Sequence, residues 1–226
     1  MDLIAVYKEL YRTHGPQGWW PVLGEDDEKI RAVYGIPYQS FEKYRLPWRD
    51  PFFEIAVGAI LTQNTAWTSV VLALTNLFQA HALTPELILS SDLSRLESLI
   101  RPAGYFRQKA RALQTFSNWV VTNYHGDIRR ARRRGLPTLR TSLLDLWGVG
   151  FETADDILLY ALNKPIFVID AYTKRLCEFH GISFKSYEEY RLFFEQQLTN
   201  DQNTFHKTRV KWYQEYHALI VRWGKT

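Results

Sequence analysis

Cysteine is nearly absent from this chain: Cys177 is the only one in 226 residues. No intrachain disulfide can form, and neither a thiolate zinc site nor a cysteine-held iron–sulfur cluster can be assembled from it. Long apolar runs are missing too, since the longest strongly apolar stretch, Ile55 to Leu61, is far too short to cross a bilayer. The opening residues Met-Asp-Leu-Ile-Ala-Val-Tyr-Lys-Glu-Leu mix charge into their apolar positions and form no signal-peptide core. The expectation is a soluble, cytoplasmic protein without membrane contact. Low-complexity linkers, clear internal repeats and convincing strand pairs are also lacking.

What is present is apolar periodicity. Hydrophobic residues make up 46% of the chain, enough for one large or two small cores. They recur at helical spacing, as in Val70, Val71, Leu74, Leu77 and Phe78, and again in Leu93, Leu96, Leu99 and Ile100. Pro51 can open a helix, Thr84-Pro85-Glu86 has the order of a cap followed by a first-turn proline, and Asp92 precedes another periodic stretch. The fold therefore reads as all-α. The β-like run Pro165-Ile166-Phe167-Val168-Ile169 has no partner nearby and reads as a buried connector.

The net charge of +4 is modest but uneven, with Arg129, Arg130, Arg132, Arg133 and Arg134 inside six positions. This patch is either a solvated loop or a contact for a polyanion. The segment from Gly126 to Gly135 is a plausible crossing between lobes.

Residues 138 to 163 carry the most information. They read as a helix ending near Leu146, a tight turn Trp147-Gly148-Val149-Gly150, and a second helix from Phe151 to Tyr160. Two glycines two apart permit unusual backbone angles and a close approach of the main chain to a ligand. Outward N–H groups at the start of the second helix would suit a phosphate oxygen. By itself such a hairpin is also an ordinary interhelical turn. Beyond it, Val168-Ile169-Asp170-Ala171-Tyr172 places a carboxylate after an apolar run, where Asp170 could act in chemistry, cap a helix, or do both.

Together, the hairpin Leu146 to Ala154 and the following Val168-Ile169-Asp170 resemble the endonuclease III superfamily of helix-hairpin-helix DNA glycosylases. Ala59-Ile60-Leu61-Thr62-Gln63-Asn64-Thr65 is similar to that family's glutamine-containing turn, and Arg101 to Ala110 resembles its wedge loop, so the likeness spans roughly residues 45 to 225. It implies a two-lobed fold, with residues 51–164 as a central lobe, 1–50 plus 165–226 as a terminal lobe, and the active site in the cleft between them. It also implies that Asp170 is catalytic, stabilising the cationic sugar as the base leaves, which suits a carboxylate because charge develops only in the transition state. By the same likeness Trp147, Gly148, Val149 and Gly150 form the phosphate-binding hairpin, and Gln63 and Tyr105 are the plug and wedge that fill the gap left by a flipped nucleotide.

Two departures narrow the resemblance. Relatives that also cut the strand use a lysine where this chain has Glu152, and a carboxylate cannot form the required Schiff base. Many relatives end in four cysteines that hold an iron–sulfur cluster, whereas here Tyr216-His217-Ala218-Leu219-Ile220-Val221 leads into no cysteine. With Trp19-Trp20-Pro21, these features look like the cluster-free 3-methyladenine DNA glycosylases, in which residues matching Trp19, Trp20, Pro21 and Trp67 line the base pocket. Electron-rich rings attract a cationic base by roughly 0.5–2 kcal/mol, although each tryptophan could equally be core. The resemblance implies a monofunctional enzyme that works as a monomer on damaged double-stranded DNA, without metal or other cofactor. Two readings compete with it: a glycosylase for oxidised or other damaged bases, and a non-catalytic helix-hairpin-helix DNA-binding module. A helical protein-interaction domain comes third.

Overall fold

The computed structural model of this chain describes residues 1–23, 32–33, 45–199 and 208–226, with the backbone alone at 32–33 and at residue 199. Its order is α1 (Leu3–His14), β1 (Val22–Leu23), β2 (Ala32–Val33), α2 (Pro51–Leu61), α3 (Trp67–Gln79), α4 (Pro85–Ser90), α5 (Leu93–Leu99), α6 (Phe106–Tyr124), α7 (Leu136–Leu144), α8 (Phe151–Asp156), α9 (Ala171–Phe179), α10 (Tyr187–Thr199) and α11 (Arg209–Trp223). The all-α reading holds, with one addition. β1 and β2 pair antiparallel over two residues each, Val22 with Val33 and Leu23 with Ala32. Strands this short leave no alternating pattern in a sequence.

Local chemistry explains the helix starts. Asp50 caps α2 ahead of Pro51, Thr84 caps α4 ahead of Pro85, and Asp92 caps α5. Each side-chain oxygen accepts from backbone N–H groups that have no partner within the helix. All eleven residues of α2 are buried, so this helix forms the centre of the molecule. Its one charge, Glu54, meets Arg49 at 2.6 Å with both side chains out of solvent. The same pair holds the backbone of Leu23: Glu54 Oε1 accepts from the Leu23 N–H at 2.7 Å, and Arg49 donates to the Leu23 carbonyl.

Around α2 pack α6, α8 and α3, with α4 lying on α6. The helices nearest the two ends of the chain pack on one another, α1 on α11 and α10, and α9 on α11. The connector before α9 is buried, as its sequence suggests, at Ile166, Phe167, Val168 and Ile169. It does not become a strand because side chains of α10 take the place of a partner: Phe167 N–H donates to Glu195 at 2.9 Å and Ile169 N–H to the Tyr187 hydroxyl at 3.2 Å.

The hairpin differs from its sequence reading in two ways. α7 ends at Leu144 rather than Leu146, and α8 passes after Asp156 into one π-helical turn, Ile157–Ala161. Of the two glycines only Gly148 takes a left-handed angle, φ +84°, while Gly150 is the extended N-cap of α8. A Cβ on Gly148 would also stand 2.7 Å from the Ala112 Cβ. Gly148→Ala is therefore expected to cost at least about 1–2 kcal/mol from backbone strain alone, read as a fall in the urea midpoint. A variant as stable as the wild type would show that the turn tolerates a side chain.

Candidate active site

Asp170 is the N-cap of α9, its Oδ1 accepting from the Thr173 N–H at 2.7 Å. Its Oδ2 lies 3.5 Å from Nε2 of His217, and its side chain is 13% exposed, so it is enclosed yet reachable. That distance is at the outer limit of a hydrogen bond. Burial pushes the Asp170 pKa up, but His217 and the Thr173 N–H outweigh it and hold the group below the usual aspartate value. The other ring nitrogen, Nδ1, is 2.7 Å from the Tyr160 hydroxyl. Asp170, His217 and Tyr160 thus form a line from α9 through α11 to the π turn.

Aromatic rings wall the same space. Trp19 stands edge-on to His217 at 6.1 Å and to Trp20 at 6.0 Å. Trp20 meets Trp67 edge-on at 5.4 Å and lies 5.1 Å from the Tyr160 ring. Trp19 and Trp67 are half-buried, while Trp20 and Pro21 lie fully buried beneath them. The Trp67 indole N–H is buried without an acceptor. Glu215 of α11 fixes the segment leading in, accepting from the Gln17 and Gly18 N–H groups at 2.5 and 3.1 Å.

α8 contributes carboxyls. Glu152 opens to solvent, and its pKa is raised first by the desolvation it does suffer and then by the Asp170 charge, with His217 and Lys174 opposing. Asp156, one turn further on, is only 8% exposed, and its Oδ1 is buried with no hydrogen-bond partner. Asp155 points elsewhere, into a bidentate pair with Arg140 at 2.7 and 3.0 Å. Among the described residues no group of three or more His, Cys, Asp or Glu side chains is arranged to hold a metal ion.

A cleft is lined by Gln63, Asn64, Tyr105, Gln108, Lys109, Ala112, Trp147 and Gly148. Gln63 ties this cleft to the hairpin, its amide donating to the Gly148 carbonyl at 2.9 Å and to the Thr153 hydroxyl of α8 at 3.0 Å. Tyr105 is 66% exposed and has φ +45°. Lys109 is buried and donates to the Leu61 carbonyl at 2.8 Å, the Thr65 hydroxyl at 2.6 Å and the Ala103 carbonyl at 2.8 Å. Desolvation lowers its pKa to about 8. This lysine binds the Gln63 turn to the loop that presents Tyr105. Trp147 is 43% exposed with the Arg111 guanidinium 4.4 Å from its ring centre, whereas Val149 is buried.

The basic segment splits. Arg129 pairs with Asp127 at 2.9 Å and Arg132 donates to the Ala161 carbonyl at 3.1 Å, so both serve the fold. Arg130, Arg133 and Arg134 remain exposed. No helix among the described residues is long and apolar enough to cross a membrane.

The sequence singles out Asp170 as catalytic, Trp19, Trp20, Pro21 and Trp67 for the base pocket, Gln63 and Tyr105 as plug and wedge, and Trp147, Gly148, Val149, Gly150 and Glu152 for the hairpin; in the structure His217 stands between Asp170 and Trp19, ring contacts join Trp19, Trp20 and Trp67, and Gln63, Tyr105, Trp147 and Gly148 line one cleft. The sequence did not single out His217, Tyr160, Asp156, Lys109 or Glu215 as site residues. The four-residue spacing of Glu152, Asp156 and Tyr160 on one helix was the available signal for two of them.

Residues 57–198 match the family model described as the HhH-GPD superfamily base excision DNA repair protein. A DNA repair glycosylase candidate of Methanocaldococcus jannaschii is 37% identical over 97% of this chain and 85% of its own length. Endonuclease III of Thermotoga maritima is 29% identical over 56% of this chain and 55% of its own length. Among solved structures, the H. pylori 3-methyladenine DNA glycosylase bound to 1,N6-ethenoadenine superposes with TM-score 0.78 and 26% identity, covering 100% of this chain and 98% of that one. An endonuclease III–DNA complex shares the fold at TM-score 0.67 and 20% identity, covering 96% and 82%.

Proposed function

The chain belongs to the HhH-GPD superfamily of base excision DNA repair proteins and is a DNA glycosylase, and from that premise we propose that its substrates are alkylated purines, 3-methyladenine first among them. The observation that carries this reading is the placement of an ionised carboxylate, Asp170, against His217, from which ring contacts run to the half-buried Trp19 and on through Trp20 to the half-buried Trp67. A purine alkylated at N3 or N7 carries positive charge, so it gains from aromatic faces and leaves readily without a strong acid. Asp170 faces the sugar cation that then develops, and its charge contributes more in the transition state than before it.

The helices from α2 to α8 form one lobe and those near the two termini the other, with the base entering between them. Gln63 and Tyr105 fill the stack the base has left, and the open turn at Gly148 and Gly150 takes the backbone phosphate through main-chain N–H groups. Extrusion is cheapest where the lesion has already weakened the pair.

Incubating the protein with methylated duplex DNA and separating the released bases by chromatography tests the substrate. Release of 3-methyladenine, with nicks only after alkali, is the expected result; release of oxidised pyrimidines instead, from an oxidised duplex, would transfer the enzyme to the endonuclease III type. Glu152 at the lyase position adds a separate expectation. Borohydride should trap no covalent complex between the wild type and a lesion-bearing duplex, and a trapped adduct would mean that another amine performs lyase chemistry.

A further inference from the structure

Glu152, Asp156 and Tyr160 recur every four residues along α8 and its π turn and so share one helix face. Tyr160 on that face packs against Trp19, Trp20 and His217. Asp156 therefore sits one turn from the aromatic floor of the base pocket, with 8% of its surface exposed and an Oδ1 that is buried and accepts nothing. The alkylated-purine chemistry does not use this carboxyl.

We propose that Asp156 is a proton donor to the flipped base, which extends excision from cationic purines to neutral purine lesions whose ring nitrogens can accept a proton. The proposal rests on the glycosylase pocket described above. A neutral base is a poor leaving group, and protonation at a ring nitrogen removes that difficulty. The carboxyl proton of Asp156 passes to the ring nitrogen as the C1′–N9 bond breaks, and the bonding electron pair stays with the base, which leaves neutral. Water then bonds to the sugar cation on the face beside Asp170 and gives up its proton to Asp170. Asp170 returns a proton through solvent to Asp156, so one water is consumed and both carboxyls are restored.

The groups facing Asp156 favour its protonated form. On its own helix these are Glu152, Asp155 and Tyr160, with Asp170 at the start of α9 and Tyr187 at the start of α10. None is a cation. Burial first, and then the charges of Glu152, Asp170 and Asp155, raise the Asp156 pKa well above the ordinary aspartate value. A carboxyl so placed favours its protonated form more than an ordinary aspartate does.

The test compares two bases in one protein. Wild type and Asp156→Asn are given duplexes containing either 3-methyladenine or 1,N6-ethenoadenine, under single-turnover conditions across a pH series. The wild type should release both, with ethenoadenine release falling as pH rises through the titration of Asp156 while 3-methyladenine release does not follow that slope. In Asp156→Asn the ratio of ethenoadenine to 3-methyladenine rates should fall by about a hundredfold, and the slope should vanish. A ratio is insensitive to the fraction of variant that folds. An unchanged ratio, or a wild type that releases 3-methyladenine but no ethenoadenine, overturns the proposal. A wild type that releases neither overturns the alkylpurine reading first, and this inference with it.

Discussion

Asp170→Asn should lower single-turnover base release by about a thousandfold or more while leaving the fold and duplex binding in place. Asparagine is as good an N-cap as aspartate, and the amide oxygen can still accept from the Thr173 N–H that Asp170 holds at 2.7 Å. What disappears is the negative charge, which His217 and Thr173 keep present in a partly enclosed site. A neutral amide leaves the developing sugar cation without its counter-charge. Asp170→Ala should add a loss of about 1 kcal/mol in stability by removing the cap, so the pair of variants separates the two roles of one side chain. Release by Asp170→Asn within tenfold of the wild type would reduce this residue to a cap. Because Asp170 is held below its ordinary value near 4, no acid limb from its titration should appear in the rate profile at about pH 5 and above.

The second large effect is on stability. Glu54→Ala should cost about 3–5 kcal/mol, the usual result of leaving one member of a buried ion pair without its partner. Arg49 and Glu54 are 0% and 1% exposed, and both also bond the backbone of Leu23. Their loss therefore unpins the segment that follows Trp19, Trp20 and Pro21 as well as the ion pair itself. Urea unfolding would show the midpoint fall, and the double variant Arg49→Met with Glu54→Leu should recover most of it, because well-packed apolar pairs often match a buried salt bridge. A loss under about 1 kcal/mol in Glu54→Ala would mean that water or another side chain takes over the bonds.

These two predictions differ in how much of their basis was legible before the fold was known. Asp170 could be read from an apolar run followed by a carboxylate at a helix start, which is a local pattern. The caps Thr84 and Asp92 were equally local, and so was Pro51 opening α2. The buried pair of Arg49 and Glu54 was not legible, since a charged residue in an apolar helix reads as a flaw until its partner is seen. The Val22 to Leu23 strand was too short to leave a pattern, and the π turn at Ile157–Ala161 depends on where α8 must end against α2.

By itself, then, the sequence determined the all-α class, the starts of α2, α4 and α5, the hairpin and the aspartate that follows it, because caps, periodicity and glycine turns act over a few residues. It also determined what the chain cannot build from a single cysteine. Tertiary structure alone decided what surrounds Asp170. His217 meets Tyr160 across 57 residues of chain, Gln63 meets Gly148 across 85, and Glu215 holds Gln17 across 198. Residues so far apart are brought together by burial of the apolar faces of their helices, and no spacing rule records which polar groups that burial makes neighbours. The proton affinity of each carboxyl follows from those neighbours, which is why Asp170 is held below the ordinary aspartate value and Asp156 is raised above it.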